Sequence, residues 1–145
     1  MKNVQNEMHI KLLSKSTNEA FSRSVISAFV LELDPTIAEL ADIKTAVSEA
    51  VTNSIVHGYR RESGMIYIDA YLTSDRNVII KIRDRGVGIE DVQRAMQPLY
   101  TTAQEEERAG LGFAVMQSFM DSVSVKSAPG KGTTVTLKKR IVALR

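Results

Sequence analysis

Two pairs of short alternating segments constrain this chain more than any other feature. Ile66, Ile68, Ala70 and Leu72 recur at every second position, and so do Val78, Ile80 and Ile82. Between them, Thr73-Ser74-Asp75-Arg76-Asn77 has the composition of a turn. Further on, Val123-Ser124-Val125-Lys126 leads through Pro129-Gly130-Lys131-Gly132 into an alternating run from Thr133 to Lys139. A period of two places apolar side chains on one face of a strand, so each pair reads as a β-hairpin with one face to bury. Met8, Ile10 and Leu12 alternate in the same way and predict a further strand over 7–13.

The segments between the strands supply the cover. Ser16 followed by Glu19 has the capping-box pattern, and Phe21, Val25, Ala28 and Phe29 follow at helical spacing, predicting a helix that ends near Leu33. Asp34-Pro35 breaks it, because the residue before proline disfavours helix. Thr36 and Glu39 repeat the capping pattern, and a second helix runs to about His57, stopped by Gly58. Its buried stripe is Ile43, Val47, Ala50, Val51 and Ser54, and Glu49, Asn53 and His57 lie along a neighbouring edge. A short helix is expected within 89–96. A third long helix is expected after Gly112, with Phe113, Met116, Phe119 and Met120 as its core stripe. Antiparallel hairpins covered by long helices give an α+β two-layer sandwich, a mostly antiparallel mixed sheet with its helices on one face.

With 145 residues the chain is expected to form a single domain over 1–145. It has no cysteine, which excludes disulfides, thiolate nucleophiles and cysteine metal sites. The net charge of +2 is too small to argue for a nucleic-acid groove, and Lys138-Lys139-Arg140 reads as a solvated strand end. The longest apolar run, Val25 to Leu31, falls far short of the ~20 residues of a membrane span. A soluble, cytoplasmic protein that touches neither nucleic acid nor membrane is expected.

Three segments carry chemistry. Glu49 and Asn53 set a carboxylate and an amide one helical turn apart, a pair that could bind a hard cation or place a base beside it, and equally a solvated helix edge. Asp84-Arg85-Gly86-Val87-Gly88 puts an aspartate at a strand end before two glycines. That arrangement lets backbone approach a flat ligand while the carboxylate accepts from an exocyclic amine, though an ordinary strand-to-helix turn has the same form. Gly110-Leu111-Gly112 is read as the opening of the third helix, where free N–H groups and the helix dipole favour a phosphate, with Arg108 placed to pair with it. A flexible loop with a glycine cap fits the same letters. Residues 97–110 read as a long irregular loop. No Walker-type G-x-x-x-x-G-K-[ST] occurs, nor H-R-D or D-F-G.

In this order the segments resemble the ATP-binding domain shared by gyrase-type topoisomerases, the Hsp90 chaperone, histidine kinases and MutL. Glu49 to Asn53 matches its asparagine box, Asp84 to Gly88 its first glycine box, Gly110 to Gly112 its second, and Thr133 its threonine beside the adenine. After Asn53 the run Ser54-Ile55-Val56-His57-Gly58-Tyr59 departs from histidine kinases and resembles the anti-sigma kinase branch. Leu33-Asp34-Pro35-Thr36 and Gly130-Lys131-Gly132-Thr133-Thr134 carry the likeness to the sporulation anti-sigma F factors.

The resemblance implies a serine protein kinase that is also an anti-sigma factor. Asn53 would coordinate Mg²⁺ and Glu49 would act as general base on the substrate serine. Asp84 would hold the adenine amine of ATP or ADP, with Gly86, Gly88 and Thr133 lining its pocket. Arg108, Gly110 and Gly112 would contact phosphates across a mobile lid at about 97–110. The partners implied are sigma factor F, the anti-anti-sigma factor as substrate, and a second copy of the chain in a homodimer. A histidine-kinase core, a nucleotide-gated module without kinase activity and the general-stress anti-sigma kinases are the competing classes. His57 is read as a packing or capping residue rather than a phospho-acceptor.

Overall fold

The computed structural model describes residues 3–97 and 104–142, with backbone alone for 104–110. Five strands form one sheet in the order β1-β2-β3-β5-β4: β1 Val4–Leu13, β2 Met65–Thr73, β3 Asn77–Asp84, β4 Ser122–Ser127 and β5 Thr133–Arg140. Every pairing among them is antiparallel. The alternation in the sequence becomes the two faces of this sheet. Ile66, Ile68, Ala70, Leu72, Val78, Ile80, Ile82, Val135 and Leu137 are buried under the helices. Tyr67, Asp69, Tyr71, Lys81 and Arg83 belong to the opposite face.

Helix α1 spans Thr17–Val30 and is prolonged by a 3₁₀ turn at Leu31–Leu33. Helix α2 spans Ile37–Asn53 and presents Ile43, Ala46, Val47, Ala50 and Val51 to the sheet. The two capping patterns fare differently. At Thr36 the box forms: the Glu39 N–H donates to Thr36 Oγ1 at 3.0 Å and the Thr36 N–H to Glu39 Oε1 at 2.9 Å. At Ser16 it does not, because Ser16 itself is helical and Glu19 accepts from Arg23 Nε at 2.5 Å instead. The ion pair one turn on takes the carboxylate that the cap required.

Helix α3 is the short element Val92–Ala95. Helix α4 runs Gln104–Phe119, so it begins well before Gly112 and carries Gly110 and Gly112 inside it. Gln104-Glu105-Glu106-Glu107-Arg108-Ala109 consists of strong helix formers, which extend the helix backwards across glycines costing about 1 kcal/mol each. Phe113, Met116 and Met120 are buried as the spacing predicts, whereas Phe119 is 37% exposed and lies outside the core stripe. Residues 104–110, expected to be irregular, are the first turns of α4, and residues 98–103 of the expected lid fall outside the described residues.

Candidate functional site

The chain leaves α2 through a π-helical turn, Ser54–Gly58. Such a turn adds a residue to the helix and redirects the backbone beyond it. It brings Gly58 against the end of β3, where the Gly58 carbonyl accepts from the Val87 N–H at 2.9 Å. A Cβ on Gly58 would lie 2.8 Å from Asp84 Oδ2, and a Cβ on Gly86 would overlap the Gly58 carbonyl. Two glycines therefore let backbone close tightly around the aspartate. Tyr59 fastens the same corner: its hydroxyl donates to the Met65 carbonyl at 2.5 Å and accepts from the Arg85 N–H at 2.8 Å.

Asp84 is 4% exposed. Its Oδ1 accepts from the Gly86 N–H at 2.9 Å. Burial pushes its carboxyl above the ordinary value, while hydrogen bonds from the Gly86 N–H, Ser54 and the Thr133 N–H pull the other way. The result is a carboxylate held in place with acceptor capacity to spare. Thr133 is paired with Asp84 across β3 and β5. Ser127 Oγ lies 2.8 Å from Thr133 Oγ1, donates to the Gly132 carbonyl at 2.8 Å and accepts from the Ile89 N–H at 2.7 Å. That hydroxyl ties the loop after β3 to the β4–β5 hairpin. Gly88, at φ +78°, adopts a conformation open to glycine, and a Cβ there would overlap the Ala128 carbonyl.

These groups border a cavity of about 940 Å³, large enough for a nucleotide. Asn53, Asp84, Gly88 and Thr133 all line it, together with Ser54, His57 and Gly58. At the edge of α2, Glu49 and Asn53 stand side by side under α4. A Cβ on Gly112 would lie 3.1 Å from Glu49 Oε2 and 3.3 Å from both Asn53 Oδ1 and Nδ2. A side chain at 112 would press on both, and either would have to give by a few tenths of an ångström.

Burial raises the Glu49 carboxyl above the ordinary range, and the negative charge of Glu19 adds to it. A base shifted this way sits nearer the working pH than an exposed glutamate does. Asn53 Nδ2 is buried with no hydrogen-bond partner. A buried orphan donor is costly and marks a place where a ligand completes the bonding. A phosphate oxygen is such an acceptor. With Nδ2 engaged by it, Oδ1 remains for a hard cation. Among the described residues no cluster of three or more His, Cys, Asp or Glu side chains is placed to hold a metal. A magnesium ion here would thus rely on Asn53 and on oxygens of the nucleotide, the mixed ligand set magnesium usually takes.

The expected phosphate clamp needs one correction. Gly110 and Gly112 do not open a helix, since the N-terminus of α4 is at Gln104, so no ring of free helix-end N–H groups forms at these glycines. Gly112 still meets the Glu49–Asn53 edge. The Arg108 side chain lies outside the described residues. Sequence reasoning missed Ser54, Gly58 and Ser127 as site residues. Ser54 reads as part of a buried stripe, Gly58 as a helix stop, and Ser127 carries no local signal.

Residues 14–139 match the family model described as a histidine kinase-like ATPase domain. An anti-sigma F factor from Caldanaerobacter subterraneus subsp. tengcongensis is 59% identical over 94% of each chain. Another from Thermoanaerobacter pseudethanolicus is 57% identical over the same shares. The chain belongs to the anti-sigma F factor family. The family carries a histidine kinase-like ATPase fold, which implies that the chain binds a nucleotide. Among solved structures, the RsbU and RsbW domains of Rv1364c from Mycobacterium tuberculosis superpose with a TM-score of 0.68 at 24% identity. That match covers 94% of this chain and 32% of the other, and shows the fold alone. No helix among the described residues is long and apolar enough to cross a membrane.

Proposed function

We propose that this chain is a serine protein kinase and anti-sigma factor that binds and inhibits sigma factor F. It transfers the γ-phosphoryl group of Mg-ATP to a serine of the anti-anti-sigma factor and so inactivates it. The observation that carries this reading is the Glu49–Asn53 pair beneath Gly112, in which Asn53 lines the same cavity as Asp84 and Glu49 stands beside it. Asp84 accepts from the adenine amine, with Gly86, Gly88 and Thr133 shaping the wall. Asn53 engages phosphate and Mg²⁺. Glu49 takes the proton of the serine hydroxyl as its oxygen bonds to the γ-phosphorus and the bond to the β-phosphate oxygen breaks, leaving ADP. Catalysis of this kind is mostly positioning and charge stabilisation, and the magnesium ion supplies the latter when bound. Arg108 and Gly110 contact the phosphates from the segment 97–110, which acts as the lid. The protein works as a cytoplasmic homodimer.

The test is incubation with γ-labelled ATP, Mg²⁺ and the candidate anti-anti-sigma protein, followed by mapping of the labelled residue. Label on one serine of the partner is the expected result. Label retained on His57 of this chain would overturn the assignment in favour of histidine-kinase chemistry. The nucleotide also selects the partner: the ATP form favours sigma factor F and the ADP form the unphosphorylated anti-anti-sigma protein. A coupling of ~1–3 kcal/mol gives an affinity ratio of about 5–150 between the two nucleotide states. Titration of sigma factor F with ATP and again with ADP measures it, and equal dissociation constants would remove the switch.

A further inference from the structure

The uncovered face of the sheet carries a feature that the nucleotide site does not use. Register places Tyr67 opposite Arg83, Arg83 opposite Thr134, and Thr134 opposite Lys126. Directly opposed residues of antiparallel strands share a face, so these four form one row across β2, β3, β5 and β4. Arg85 joins the row from the end of β3. The guanidiniums of Arg83 and Arg85 stand 4.4 Å and 5.0 Å from the centre of the Tyr67 ring. Lys131, in the β4–β5 turn, closes the other side. Arg83, Arg85, Lys126 and Lys131 together border a hollow of about 540 Å³.

The charges of this hollow are uncompensated. Among the described residues none of the four cations makes an ion pair. Asp84 is the one carboxylate on its border, and its oxygens lie against Gly58 and Gly86, on the nucleotide side. Four positive charges thus converge on one spot of a chain whose whole net charge is only +2. Arg83 and Lys126, separated by Thr134, are about 9–10 Å apart across two strand spacings. That gap suits an anion reaching both at once, with the Thr134 hydroxyl between them. Stacking on Tyr67 restrains the guanidiniums and leaves their N–H edges free, and those edges match phosphate oxygens in pairs.

We propose that this hollow is a second anion site, for the linked phosphates of an oligophosphate. Both sources of that chemistry qualify, inorganic tripolyphosphate and the phosphate chain of a nucleoside triphosphate. Two guanidiniums already lie over the Tyr67 ring, so no base stacks there and recognition is independent of the base.

The experiment is calorimetric titration of inorganic tripolyphosphate into the full chain saturated with ADP, at low salt and without magnesium. One additional site is expected, and it weakens as salt is added. Cytidine triphosphate, in a parallel titration, should bind with an affinity similar to that of tripolyphosphate. Much tighter binding of the nucleotide would overturn base independence. The double variant Lys126→Ala/Lys131→Ala should weaken tripolyphosphate by roughly ten-fold or more, with ADP affinity unchanged. Arg85→Gln gives the same test with a single exposed change, and thermal unfolding confirms that either variant is folded. Absence of tripolyphosphate binding by protein that binds ADP would overturn the site, and so would equal binding by the variants. Tighter binding of a glutamate-rich peptide than of tripolyphosphate would overturn the ligand class.

Discussion

Two regions flank the proposed nucleotide site, the Asp84 corner and the Glu49–Asn53 edge of α2, and they are built on opposite terms. At the aspartate end, Asp84, Ser127, Thr133, Tyr59 and the glycine backbones satisfy one another through strands and a turn already fixed by the sheet. At the Glu49 end, a carboxyl is raised by burial and a buried amide donor has no partner. The first end is finished before a ligand arrives; the second is completed by one. On the function proposed above, the finished end takes what all adenine nucleotides share, and the unfinished end spends its unmet bonding on the phosphate group that distinguishes them.

The sharpest way to break this contrast is Glu49→Ala. A positioned base contributes roughly 10²–10⁴-fold, so phosphorylation of the partner should fall by about that factor while ADP affinity stays within several-fold. Normal phosphorylation by the variant would show that the raised carboxyl is a by-product of packing.

Asp84→Ala probes the other end and should not discriminate between nucleotides. Loss of a hydrogen bond to a charged group costs roughly 1.5–3 kcal/mol, about ten- to 150-fold in affinity, for ATP and ADP alike. Calorimetry that finds ADP unaffected would take adenine away from this aspartate.

A third effect is smaller and depends on pH. The Glu49 pKa is raised in the folded state, so its contribution to stability is present below the unfolded pKa and is lost as pH rises through the folded value. At neutral pH the ionised, half-buried Glu49 therefore works against the fold. Glu49→Gln should be more stable than the parent near pH 7, and the advantage should shrink as pH falls through the range in which Glu49 takes up its proton. Phosphorylation by the parent moves oppositely, failing on the acid side as the base is protonated. Melting curves across pH for both proteins check the sign. A variant less stable at neutral pH would mean that Glu49 is not carrying the strain of an active-site base.

The smallest expected effect lies away from both ends. Thr36→Ala removes one half of the formed capping box and should cost about 1 kcal/mol of stability, with nucleotide affinity unchanged. A larger loss of phosphorylation than of stability would tie the start of α2 to its catalytic end.

Much of this architecture is written locally. Period two marks the strands because each has one buried face, and the Thr36 box marks α2 because cap and partner are neighbours in sequence. The same letters at Ser16 and Glu19 mislead, since Arg23 competes for the glutamate. The start of α4 is misread for a related reason. Two glycines look like a helix end, but the run from Gln104 to Ala109 outweighs them. In the site, the motif residues are legible because each needs a special residue type. Ser54, Gly58 and Ser127 are not, because their roles arise from contacts between segments far apart in the chain. The π turn that brings Gly58 to Asp84 has no signature in the residues that form it.

The corner made by Gly58, Asp84 and Gly86 has a consequence for how such a protein can diverge. A side chain at 86 would strike main-chain atoms of Gly58, and a side chain at 58 would strike the very carboxylate the pocket is built around. The first clash is with backbone and cannot be trimmed away, and the second is relieved only by removing the carboxylate itself. In a saturation library these three positions should therefore tolerate no second-site suppressors. The descendants of such a chain can change what they bind around the rim, but they inherit this corner whole or lose it.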